Sequence, residues 1–119
     1  MFVKLFNMQP KLFENTAETV DIGDVILYAL GDFQSRGKVL ANRELALDRL
    51  HGAFHRAFVK FGIAESTDER IVEILKSLGA RVVTVPNFVA KYPYRVTVSQ
   101  TVAANALEAY NRKIAVQII

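Results

Sequence analysis

The 119-residue chain contains no cysteine. That excludes a disulfide frame, a thiolate nucleophile and any cysteine-based zinc or iron–sulfur site. It is compatible with a reducing compartment, and a cytoplasmic location is expected. Histidine occurs only as His51 and His55. They stand four apart on an expected helix with Asp48 one turn earlier, so all three share a face, as metal ligands would need to. A metal site would still require carboxylates from elsewhere, so two structural or surface histidines are the expectation and no metal or cofactor is assigned. No apolar run reaches the ~18 residues of a membrane span, so no membrane partner is expected. The opening MFVKLFNMQPK does not read as a signal peptide, because Gln9, Pro10 and Lys11 interrupt it before an apolar core forms.

Catalytic signatures are missing as well. GDFQSRGKV has five residues between Gly31 and Gly37, and Val39 stands where a P-loop needs a hydroxyl for magnesium. We read it as a polar turn bracketed by the two glycines. There is no GxSxG, no HExxH and no dinucleotide fingerprint. Glu69 and Glu73 share a helix face, but with Lys76 beside them they read as surface ion pairing. The chain is therefore expected not to be an enzyme.

What is present fits one globular domain. Half the residues are hydrophobic (51%) and 23% are charged, which is enough apolar material for a core without staples. No repeat, low-complexity tract or linker divides the chain. Residues 1–119 are read as one domain, with 1–19 as an N-terminal arm or strand and 20–119 as the core. The net charge is +3, in blocks of alternating sign. Residues 36–64 carry six bases against Glu44 and Asp48, and residues 80–119 carry five against Glu108. Residues 1–35 and 65–79 are acidic on balance. Such blocks create distinct basic patches, or simply solvated faces.

The expected fold is α+β and mainly helical, with three helices, an antiparallel β-hairpin and a C-terminal helix. Residues 2–8 are a possible strand, ended by Pro10. In 21–33, Ala29 and Leu30 favour a helix whereas Val25, Ile26 and Tyr28 favour a strand. We take the helix, with Asp21 as its cap and Ile26, Leu30 and Phe33 on one face. A second helix is expected over 42–61, capped by Asn42 and stopped by Gly62. Its stripe is Leu47, Leu50, Phe54, Phe58 and Phe61. A third follows Ser66 or Thr67 and buries Ile71, Ile74, Leu75 and Leu78 before Gly79 ends it. Arg81–Val85 and Tyr94–Ser99 then alternate as two strands, with Tyr94, Val96 and Val98 on one face. Pro86, Asn87, Lys91 and Pro93 mark the loop between them. Residues 100–119 form a helix with a stripe of Ala103, Leu107, Tyr110, Ile114 and Ile118, although the final IAVQII also suits a strand.

Two stretches carry a family resemblance. DVILYALGDFQSRGKV resembles a first helix and turn. IVEILKSLGARVV followed by YRVTVSQTVAANALEAY is similar to the end of the recognition helix, the wing and the return helix of winged helix-turn-helix regulators of the PadR and MarR type. The likeness covers roughly residues 20–110. It implies a recognition helix in the DNA major groove, a wing on the backbone or minor groove, and terminal helices that make a homodimer. Two departures stand out. The helix in the recognition position carries Asp68, Glu69 and Glu73 against Arg70 and Lys76, a poor surface to bring near phosphates. The glycine that follows the wing threonine in the family is absent from VSQT.

The expected function is therefore that of a small winged-helix-like protein that binds duplex DNA, a transcription regulator. Arg43, Arg49, Arg56 and Lys60 of the long helix, with Lys91 and Arg95 of the wing, would neutralise phosphates, and Tyr92 and Tyr94 would pack on sugars or bases. The plain alternative at the loop is that Tyr94 joins the core face while Lys91 and Arg95 keep a hairpin edge soluble. A second reading is a protein–protein interaction or structural module, homodimeric through its terminal elements. A small enzyme or ligand binder using Asp48, His51 and His55 ranks last.

Overall fold

Helix α1 (Ile22–Ser35) is surrounded by protein on nearly every side, as a computed structural model of the chain shows; the structure describes residues 20–86 and 93–118. Val25, Ile26, Tyr28, Ala29, Leu30 and Phe33 are all buried. This resolves the ambiguity of 21–33: a helix buried all round reads as a continuous apolar run, just as a core strand does. Asp21 caps it, its Oδ1 accepting from the Gly23 N–H at 2.8 Å. The helix runs on to Ser35, so Gly31 lies inside it and does not bracket a turn, contrary to the reading of GDFQSRG. The expected N-terminal strand over 2–8 and the loop residues Lys91 and Tyr92 lie outside the described residues.

The helix expected over 42–61 begins as something else. Residues Glu44–Ala46 form strand β1, Leu47–Leu50 a 3₁₀ turn, and only His51–Phe61 the helix α2. Asn42 is not a helix cap: its φ is 59°, the left-handed region that asparagine tolerates, and its N–H donates to the Val98 carbonyl at 2.7 Å. The apolar pattern accommodates both conformations. Leu45 and Leu47 are buried two apart, as a strand requires, while Leu47 and Leu50 are buried three apart, as one 3₁₀ turn requires. Pairing with the sheet decides in favour of the strand.

Helix α3 (Asp68–Ser77) keeps its expected limits. Thr67 Oγ1 accepts from the Arg70 N–H at 3.2 Å, and Gly79 takes a φ of 101° just past the end. Thr67→Ala is expected to cost about 1 kcal/mol, read as a lower urea midpoint at unchanged m-value. Strands β2 (Arg81–Thr84) and β3 (Tyr94–Thr97) form the expected hairpin, with Val82 opposite Val96. Strand β1 pairs antiparallel with the other side of β3, Leu45 opposite Val96, so the sheet has three strands in the order β1-β3-β2. Its inner face is the predicted one: Val96 and Val98 are buried with Leu45. Helix α4 (Gln100–Ile118) closes the chain, helical through the IAVQI stretch.

The fold is thus four helices and a three-stranded antiparallel sheet among the described residues. One core joins the buried sides of α1, α2, α3 and α4 to the inner face of the sheet. Among the described residues, no helix is long and apolar enough to cross a membrane.

Candidate nucleic-acid interface

Helix α2 has two polar edges, and they face different neighbours. One carries His51 and His55. His51 Nε2 lies 3.1 Å from Asp68 Oδ1 at the start of α3, and His55 Nδ1 is paired with Glu65 in the connection before it. The histidines therefore turn toward acids beyond the helix. Among the described residues, no three histidine, aspartate or glutamate side chains come together in a way that would hold a metal ion.

The other edge carries Arg56 and Lys60. Arg56 does not stand free in solvent. Its Nε donates to Asp32 Oδ2 at 2.8 Å, with a second bond from Nη2 to the same oxygen. Asp32 is the one buried charged residue described, 5% exposed, and Arg36 adds a longer contact at 3.4 Å. A carboxylate taken out of water needs such partners, because an unpaired buried charge is expensive. Arg56 thus spends much of its charge on joining α2 to α1. Lys60 is exposed one turn later.

Arg43 and Arg49 are both exposed, the first immediately before β1 and the second in the 3₁₀ turn. Arg95 lies on β3. Since Val96 and Val98 point to the core, alternation places Arg95 and Thr97 on the outer face of the sheet. Register adds a further base to this face. Arg81 pairs with Thr97 and Val83 pairs with Arg95, so Arg81 and Arg95 are diagonal neighbours on that outer face. Glu44 sits across Thr97 from Arg81. Alternation within each strand was legible, but which residue of β2 faces which of β3 depends on a loop length that fixes no register by itself.

Tyr94 takes the core side of β3, as the plainer alternative for it held. Its hydroxyl reaches Glu69 Oε2 at 3.4 Å, linking the hairpin to the first turn of α3. Desolvation first, and the Glu69 carboxylate second, hold the Tyr94 hydroxyl above the ordinary tyrosine pKa. The exposed side of α3 is acidic on balance: Glu69 and Glu73 are exposed, and Arg70 is 3.7 Å from Glu73. The predicted contact residues among the described ones therefore lie outside α3, on the approach to β1, in the 3₁₀ turn, toward the end of α2 and on the outer face of the sheet.

No family model, curated protein or solved structure matches this chain.

Proposed function

We propose that the chain is a small winged-helix-like protein that binds duplex DNA as a homodimer, a transcription regulator working in the cytoplasm. The observation that carries this reading is the hairpin standing directly after α3 and tied to its first turn by Tyr94 and Glu69. A wing has to be held beside a recognition helix, and this link supports that arrangement. Phosphate neutralisation falls to Arg43, Arg49 and Lys60, which precede α3 in the chain, and to Arg81, Lys91 and Arg95, which follow it, with Tyr92 packing on the sugar–phosphate surface. Arg56 acts chiefly through Asp32. The acidic outer side of α3 argues for contact dominated by backbone phosphates, with little reading of base edges.

A random-sequence duplex with a fluorescent end label tests this. Binding at low salt should weaken steeply as salt rises. The triple variant Arg49→Ala, Lys60→Ala, Arg95→Ala should flatten the log–log salt slope by roughly 2–3, because each lost phosphate contact removes about 0.9. Absence of binding at low salt would overturn the reading.

The acidic surface of α3 favours a second reading, a protein–protein interaction module whose partner presents basic residues to Glu69 and Glu73. Its mark would be association with a basic protein surface, lost on Glu69→Lys, in a chain that ignores duplex DNA.

A further inference from the structure

Helices α1 and α4 run antiparallel. Gln34 near the end of α1 donates to the Ala103 carbonyl near the start of α4 at 2.8 Å, and the Tyr28 and Tyr110 rings meet at 5.0 Å further along. Beyond this aromatic contact the two helices and the end of α2 line a groove of about 390 Å³. Its floor is apolar, made by Leu27, Tyr28, Phe61 and Ala109. Asp24 stands on the α1 rim, and Arg112 and Lys113 on the α4 rim. Lys113 Nζ lies 4.9 Å above the Phe61 ring, and neither α4 base is within ion-pair distance of Asp24 among the described residues.

We propose that this groove is half of a two-fold interface with a second copy of the chain, Asp24 of each copy meeting Arg112 of the other across the paired aromatic floors. The inference rests on the dimeric part of the proposed function and assigns its surface. A two-fold interface must be self-complementary, since every contact is made twice. A floor of one kind with an acid on one rim and bases on the opposite rim meets that condition. The aliphatic stems of Arg112 and Lys113 can cover the facing rings while their charges reach the partner's acidic rim. The acid also disfavours a phosphate ligand here, and the groove stands open to solvent, which suits a facing protein surface better than an enclosed small molecule. By contrast, a two-fold through α3 would set Glu69 and Glu73 against their own copies.

The absence of cysteine makes a direct test possible. The single variants Asp24→Cys and Arg112→Cys both fall on exposed positions, so circular dichroism should show an unchanged fold. Mixed after reduction, allowed to exchange subunits and gently oxidised, they should give the 24–112 disulfide in preference to 24–24 or 112–112. The wild-type chain should sediment at twice 13.3 kDa. Asp24→Arg should weaken association by at least about tenfold through like-charge confrontation, and adding Arg112→Asp should restore it. A chain monomeric at every concentration overturns this inference together with the dimeric reading. A dimer that ignores Asp24→Arg and shows no preference for the 24–112 bond overturns this inference alone. DNA binding is scored separately by the salt titration.

Discussion

Gly31→Ala is expected to destabilise the fold by about 2 kcal/mol or more, although alanine is the better helix former by about 1 kcal/mol. The position lies where α1 and α4 cross. A methyl group on Gly31 would fall inside the van der Waals shells of the Ala106 carbonyl oxygen and the Tyr110 Cβ, and would stand 3.1 Å from the Ala106 carbonyl carbon. Two of these three atoms are backbone and the third is a Cβ. None can swing aside as the end of a long side chain can, so relief requires the helices to separate. Separation would loosen the Tyr28–Tyr110 contact and the Gln34–Ala103 hydrogen bond together. Gly52→Ala in α2 supplies the control. Its methyl would meet only the guanidinium of Arg56, at 3.3 Å, on an exposed helix face. The propensity gain of up to about 1 kcal/mol is set against a small displacement of a guanidinium that Asp32 holds, so that substitution should change stability far less than Gly31→Ala. Urea unfolding should therefore show a large fall in midpoint for Gly31→Ala and only a small change for Gly52→Ala. A Gly31→Ala protein as stable as the wild type would mean that the α1–α4 crossing is looser than described.

Gly31 also shows where sequence reasoning reaches its limit. A glycine followed by Asp32, Gln34, Ser35 and Arg36 has the local chemistry of a turn. Its real reason is a neighbour some seventy-five residues away in sequence, which no local pattern reports. Features set by residues close in the chain were legible: the caps at Asp21 and Thr67, the stops at Gly62 and Gly79, the inner faces of α3 and β3. Features set by pairing at a distance were not. Strand β1 is hidden in the sequence because Leu47, Leu50, Phe54 and Phe58 carry a helical rhythm that begins directly after it. Only the demand of β3 for a second partner turns Glu44–Ala46 extended. The candidate site shows the same division. That bases cluster in residues 36–64 was plain. That Arg56 is held by Asp32, and that Arg81 joins Arg95, follows from how elements pack and pair. Asp32 carried a signal in retrospect: it sits one position along from the apolar stripe of a helix that is apolar nearly all round, where a carboxylate has little solvent to turn to.

The Asp32–Arg56 pair yields the second large expectation, an asymmetry between its two halves. Arg56→Met keeps the length of the stem but leaves the Asp32 carboxylate, 5% exposed, with only Arg36 for company at 3.4 Å. Stranding a buried charge typically costs 3–5 kcal/mol. The cost here should be nearer about 2 kcal/mol, because the Arg56 side chain is 39% exposed and water can follow into the gap. Asp32→Asn removes the charge and keeps the shape, and strands only a guanidinium that can turn to solvent, so it should cost about 1 kcal/mol or less. With both substitutions the buried charge is gone, and the double variant should be less destabilised than Arg56→Met alone. A coupling of at least about 1 kcal/mol in the cycle is the expected result, and additive losses would mean that the two side chains do not depend on each other. The same proteins also separate fold from function at this residue. If Arg56 serves mainly to clamp α2 to α1, Arg56→Met should lower the urea midpoint while leaving the salt slope of DNA binding within about 0.3 of the wild type, well short of the 0.9 for a lost phosphate contact. A slope that falls by the full amount at unchanged stability would move Arg56 out of the core clamp and into the phosphate-binding surface.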